Sequence, residues 1–216
     1  MGEQQTARAD ETSEAAVYVV SYLEVMPPST AEAAALLRQY RDASRMDTGH
    51  VRLAVLQQSG RPDHFAIVEI WQDQKAFETH GSAVHTRAFH ERLRPLRVSP
   101  YDERLHTCLA MGATRAAHAA GVTYVVTHAD AIPSGKDDAI TLLKRLVEAS
   151  RNDGGGIGFE VLQQRSRQNH FTIVEIWQDQ QTFEAHVMAA HTKQFREKFQ
   201  PLTGSLYDER LYMALD

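Results

Sequence analysis

HFAIVEIWQDQ at residues 64–74 returns, with one substitution, as HFTIVEIWQDQ at 170–180. Working outward, FETH at 77–80 returns as FEAH at 183–186, and YDERL at 101–105 returns unchanged at 207–211. Every match keeps the same offset of 106 residues, and an ungapped alignment from Val17 and Thr123 has 44 identities over 94 positions. Such a repeat identifies a module of about 100 residues written twice. The first copy spans 17–109 and the second 122–216. AMGATRAAHAAG at 110–121 is small and polar and reads as a linker. The polar, acidic stretch 1–16 reads as a disordered tail.

One copy resolves into alternating element types. YVVSYLEV (18–25) is β-branched and aromatic, as a strand requires. After MPPS, Ser29 with Glu32 three residues on is a capping-box signature that predicts a helix over AEAAALLRQYRDASR. VRLAVLQQ (51–58) predicts a strand, SGRPD a hairpin loop, and HFAIVEIW (64–71) another strand. A helix is expected from Asp73 to about Leu93, ended by Pro95, and a last strand over 101–109. The order β-α-β-β-α-β is the ferredoxin-like split unit, so the expected class is α+β. On 64–71, Phe65, Ile67, Glu69 and Trp71 point one way, and Ala66, Val68 and Ile70 the other. Helices cover only one face of such a sheet, yet both faces here are apolar. Packing the antiparallel sheets of the two copies face to face, as an intrachain α/β barrel, buries the second face.

Composition narrows the function classes. Apolar residues make up 43% of the 216, enough for a real core, and the formal charge of −5 favours neither nucleic acid nor membrane as partner. Cys108 is the single cysteine, which excludes an intramolecular disulfide. No signal peptide or membrane-spanning run is present, so a cytoplasmic location is expected. The expected assembly is a self-contained pseudo-dimer, with further homo-oligomerisation open.

WQDQKAFETHGSAVHTRAF (71–89) and WQDQQTFEAHVMAAHTKQF (177–195) resemble the antibiotic biosynthesis monooxygenase family. The likeness rests on Glu-x-Trp at the strand end, a short acidic turn, Phe-Glu-x-His, then a second His and an aromatic. It implies a dimeric α/β barrel, which a tandem chain imitates alone. The family includes cofactor-free oxygenases of aromatic polyketides and quinols, haem-degrading enzymes and members without a known role.

Phe77, His80 and Val84 share a helical face, so His80 is expected to point at the sheet. Glu69, Trp71, His80 and His85 would then line one cleft, repeated as Glu175, Trp177, His186 and His191. His80 and His186, with Glu69 and Glu175, are the catalytic candidates, because an imidazole titrates near neutral pH and a carboxylate buried among apolar residues is costly unless paired. Trp71, Trp177, His85 and His191 are the substrate-binding candidates. Tyr22 and His128, which differ between the copies, join them. The bland alternative makes the tryptophans and histidines satisfied core residues and the glutamates structural ion pairs. His85 lies about 140° around a helix from His80, so both face the cleft only if the helix breaks at Gly81-Ser82. The two histidines lack the i, i+4 spacing of a helical zinc site, so no metal site is expected. GGGIG at 154–158 follows a helix and precedes a strand, the reverse of a phosphate loop. YDERL reads as an exposed or interface edge with cross-strand ion pairs.

Three functions follow from the resemblance. The first is a cofactor-independent monooxygenase acting on a small electron-rich aromatic, quinol or anthrone-like, and O2. The second is a non-catalytic ligand-binding or structural barrel. The third, ranked lower, is a haem-binding or haem-degrading enzyme with His80 or His186 on iron. Haem-degrading relatives carry an Asn on the first strand, which neither 17–25 nor 123–131 contains.

Overall fold

The computed structural model describes residues 15–112 and 121–215. The first copy contributes β1 (Val17–Glu24), α1 (Thr30–Ser44), β2 (His50–Gln58), β3 (His64–Trp71), α2 (Gln74–Gly81), α3 (Val84–Leu93) and β4 (Asp102–Met111). The second contributes β5 (Thr123–His128), α4 (Lys136–Ser150), β6 (Gly156–Gln164), β7 (Phe171–Trp177), α5 (Gln180–Met188), α6 (Ala190–Phe199) and β8 (Asp208–Ala214). The expected tail falls largely outside the described residues, and so does most of the expected linker. β4 runs on to Met111, two residues into the stretch read as linker.

In copy one, β3 pairs antiparallel with β1 and β2, and β4 pairs antiparallel with β1. Copy two repeats this around β7 and β5. The eight strands close one antiparallel barrel in the order β1-β3-β2-β8-β5-β7-β6-β4. Seven of the eight residues of β3 are buried, as its two apolar faces require. Two compact units divide at Thr107, and the chain's last residues return to the first. There the Leu215 N–H donates to the Val55 carbonyl at 2.8 Å, and the Arg41 guanidinium donates to the Leu215 carbonyl. In the second unit the Gly112 N–H donates to the Phe159 carbonyl at 2.7 Å.

The helices lie on the Glu69 side of the sheet. α1 buries Ala33, Leu36, Leu37, Tyr40 and Ser44, a stripe at i, i+3, i+4, i+7 spacing. It packs with Phe65 and Ile67 of β3 and Phe89 and Leu93 of α3 in one apolar cluster. The expected single helix after β3 is two. α2 stops at Gly81, Ala83 is extended (φ −64°, ψ 150°), and α3 restarts at Val84. Ala189 repeats the break at φ −62°, ψ 148°. The restart turns Val84 outward, 75% exposed, so it does not share the inward face expected with Phe77 and His80.

The turn from α1 into β2 requires glycine. Gly49 sits at φ +81°, and a Cβ there would lie 2.4 Å from the Ala76 Cβ. Gly155 sits at φ +80°, with Thr182 atoms 2.5–2.9 Å from an added Cβ. The Gly49 and Gly155 carbonyls accept from the Gln72 and Gln178 N–H groups at 2.8 and 2.9 Å. Each glycine thus seats its turn, which carries an aspartate two residues earlier, against the helix bearing the first histidine.

Candidate functional site

Antiparallel register sets the floor of the site. Val19 faces Glu69 across β1 and β3, and the pleat puts Trp71 on the same side two residues on. The Trp71 indole N–H donates to Glu69 Oε2 at 2.8 Å. His80, from the last turn of α2, lies over that indole, with ring centroids 4.2 Å apart and planes tilted 24°. Its Nε2 stands 3.8 Å from Glu69 Oε2. The expected grouping of Glu69, Trp71 and His80 is therefore assembled, with all three side chains buried. In copy two the Trp177 N–H donates to Glu175 Oε2 at 2.8 Å, and His186 Nε2 stands 3.8 Å from the same oxygen.

Three residues of the site were not anticipated. Asp47 Oδ2 meets His80 Nδ1 at 2.7 Å, and Asp153 Oδ2 meets His186 Nδ1 at 2.6 Å. The Tyr40 hydroxyl lies 2.7 Å from His80 Nε2 and 3.2 Å from Glu69 Oε1. Leu146 stands at the matching position of copy two, so that contact exists once. Both aspartates sit at the 106-residue offset just past a helix C-terminus. A carboxylate is unfavourable there unless something else holds it, and that was the available signal.

His85 and His191 also reach the site, because the helix breaks. Their Nε2 atoms lie 3.1 Å from Asp47 Oδ2 and Asp153 Oδ2. An unbroken helix would keep two histidines five residues apart from sharing a metal ion; the break at Ser82–Ala83 brings them together. Asp47, His80 and His85 form one group of donor atoms within 4.8 Å of one another; Asp153, His186 and His191 form a second. Tyr22 and His128 do not join. They pair with Ala66 and Thr172, on the sheet face opposite Glu69 and Glu175. YDERL is more than an edge: Glu103 pairs with Ser21 on the helix side, and burial raises its pKa.

The electrostatics follow from burial. Desolvation lifts the Glu69 carboxyl to about 7, against the lowering effect of the Trp71 and Tyr40 hydrogen bonds. Glu175 is lifted further, to about 8, again chiefly by burial; among the described residues only Trp177 donates to its carboxyl, because Leu146 stands in the place of Tyr40. Burial also lowers the pKa of His80 and His186, although Asp47 and Asp153 pull the other way. Both imidazoles are therefore neutral at pH 7. With Nδ1–H donating to the aspartate, Nε2 carries the lone pair. In copy one the Tyr40 hydroxyl, which donates to Glu69 Oε1, stands 2.7 Å from that nitrogen. In copy two its neighbours are Thr192 Oγ1 at 3.4 Å and Glu175.

The surroundings of the two tryptophans differ as well. His50 packs edge-on against Trp71, with centroids 5.7 Å apart. Gly156 replaces it in copy two, and a cavity of about 20 Å³ opens beside Trp177, lined by Val147, Ser150, Arg151, Gly156 and Phe159. That is room for one water-sized molecule.

The antibiotic biosynthesis monooxygenase model matches residues 16–92 and again 123–198. The chain belongs to the antibiotic biosynthesis monooxygenase family. Solved structures show the family fold in tandem form. A candidate monooxygenase of Fusobacterium nucleatum superposes with a TM-score of 0.85 at 16% identity, over 94% of this chain and 93% of its own. One from Lactobacillus acidophilus gives 0.78 at 12%, over 94% and 95%. An anthrone oxidase-like protein gives 0.70 at 13%, over 93% and 91%. No curated protein matches significantly. Among the chemistries found in the family, haem ligation fits poorly. His80 and His186 are only 2% and 4% exposed, and each imidazole lies against an indole.

Proposed function

We propose that the protein is a cofactor-independent monooxygenase of a small electron-rich aromatic, quinol or anthrone-like, and that copy two carries the working site. The observation that supports this most is buried His186, paired with half-buried Asp153, beside Trp177. The aspartate fixes the tautomer and orientation of the imidazole, which leaves Nε2 as a base in a water-poor setting. For an anthrone, His186 takes a methylene proton. The resulting anion passes electrons to O2, one oxygen atom forms the new carbonyl, and the other leaves as water with the two methylene hydrogens. The substrate supplies every electron, so the balance needs no reductant. Glu175, neutral at pH 7, donates a hydrogen bond where negative charge develops on oxygen. The ring enters by enlarging the cavity beside Trp177, and Arg151 is the exposed side chain on its rim.

A non-catalytic role is favoured for copy one. There the Tyr40 hydroxyl stands 2.7 Å from His80 Nε2, and His50 fills the space that Gly156 leaves open. The test is O2 uptake by chelator-treated protein with anthrones and quinols. Turnover above background that falls about 10²–10⁴-fold in His186→Ala and persists in His80→Ala supports the assignment. Uptake equal to background, or unchanged in His186→Ala, overturns it. Thermal stabilisation by the same aromatics without uptake would identify a binding barrel instead.

A further inference from the structure

We infer that the two Asp–His–His clusters, Asp47/His80/His85 and Asp153/His186/His191, each bind a divalent first-row transition ion. In both, one carboxylate oxygen serves two imidazole nitrogens. Asp47 Oδ2 lies 2.7 Å from His80 Nδ1 and 3.1 Å from His85 Nε2; the copy-two values are 2.6 and 3.1 Å. Two ligands each about 2.0–2.1 Å from a common ion stand about 3 Å apart, so these donors already sit near ligating separation. In copy one a plain hydrogen bond accounts for the first contact but not the second; in copy two His191 Nε2 is also hydrogen-bonded to Asp153 Oδ2, and that cluster stands on its matching spacing. His85 Nε2 is buried and has no hydrogen-bond partner despite its 3.1 Å approach to Asp47, so its nitrogen is aimed at the cluster without a proton acceptor in line. Two imidazoles with one carboxylate suit zinc, iron or cobalt rather than the all-oxygen preference of magnesium or calcium. Asp47 and His85 are 23% and 27% exposed while His80 is 2% exposed, so the cluster opens outward and leaves positions for water on the ion.

The break between α2 and α3, and its copy between α5 and α6, brings the second histidine onto the first. The arrangement survives changes around it. Tyr40 has become Leu146 and Gly81 has become Val187, yet the three donors keep their spacing. An ion on Nδ1 leaves a neutral imidazole with its proton on Nε2. Metal binding therefore competes with the base role of His186. That consequence rests on the function proposed above; the binding itself does not.

The test uses the untagged full chain, stripped with chelator, and titrated with Zn2+ by calorimetry and with Co2+ by visible absorption. The expected result is two ions per chain, one in His85→Ala, one in His191→Ala and none in the double variant, with His64→Ala unchanged. His64 belongs to the remaining donor group, Glu24/Asp63/His64, and serves as the control. Paramagnetically shifted imidazole resonances in the Co2+-loaded wild type give a second measurement independent of any variant's folding, and they should come from His80, His85, His186 and His191. Absence of binding, binding that persists in the double variant, or shifts confined to other histidines would overturn the inference. Loss of O2 uptake with intact binding would discard only the proposed activity.

Discussion

Glu175→Gln should make the protein more stable than wild type at alkaline pH and leave it close to wild type at pH 5. Glutamine keeps an oxygen for the Trp177 N–H and copies the shape of the protonated acid, but it cannot ionise. The wild-type carboxyl has a folded-state pKa of about 8 against an ordinary 4.5, and burial is the main cause. The folded protein therefore holds this proton more tightly than the unfolded chain. The stabilisation is complete below 4.5, declines as pH rises, and is lost once pH passes about 8. Each tenfold difference in proton affinity is worth about 1.4 kcal/mol. Ionised Glu175 therefore costs about 5 kcal/mol, and about 4 kcal/mol of that develops between pH 5 and 9. The assay is urea unfolding of wild type and variant across that range. The difference between the two cancels every other titration, and any fixed cost of the amide appears equally at each pH. Glu69→Gln should show a gap of about 3 kcal/mol that levels off nearer pH 7, since its pKa is about 7. Parallel curves, or a gap that narrows as pH rises, would refute a carboxyl held neutral by burial.

Tyr40→Phe removes a hydrogen-bond donor from Glu69 and should move its pKa upward toward the value of Glu175, as read by carboxyl carbon NMR. Trp177→Phe leaves Glu175 without its indole donor and should cost about 1–3 kcal/mol, more at pH 9 than at pH 5, in the same urea series. Gly155→Ala places a methyl group against Thr182 at a positive φ and should cost about 1–3 kcal/mol, measured by thermal unfolding. Gly60→Ala, also at positive φ but with nothing within 4 Å of the added carbon, should cost less.

The offset of 106 and the period-two pattern of HFAIVEIW carried the fold, because burial on both faces of β3 leaves few arrangements of two identical sheets. They also carried half of the site. Strand parity alone put Glu69 beside Trp71, and the helical face of FETH aimed His80 at them. What stayed hidden depends on contacts that no period encodes. Asp47 acts from a turn, and its reach to His80 is set by Gly49 against Ala76. Tyr40 reads as one more residue of the apolar stripe of α1; its hydroxyl matters only because β3 brings Glu69 within 3.2 Å. His85 depended on a helix break that Gly81 hints at in copy one and that Val187 conceals in copy two. Ala83 and Ala189, which carry the extended backbone at the break, have no composition that announces it. Tyr22 was misassigned for another reason. A residue that differs between copies draws attention, but the register of Tyr22 with Ala66 turns it to the other face.

The copies differ at 50 of the 94 aligned positions, and three of those differences meet at the site. Leu146 in place of Tyr40 removes the hydroxyl from the histidine Nε2 and from the glutamate, Gly156 in place of His50 clears one edge of the indole, and Phe159 in place of Leu53 sets an aromatic ring against His186 with centroids 5.8 Å apart. The first change raises the proton affinity of the buried carboxyl, and the second opens space beside Trp177. Together they alter the surroundings of His186, Glu175 and Trp177 while Asp153, His191 and Trp177 themselves stay fixed, which is what a module would show if one copy kept the chemistry and the other kept the fold. Restoring the copy-one residues tests this directly. Leu146→Tyr with Gly156→His should rebuild the hydroxyl contact to the histidine, fill the cavity and lower the pKa of Glu175 toward 7. If the double variant oxidises anthrones as fast as wild type, the asymmetry has no bearing on catalysis.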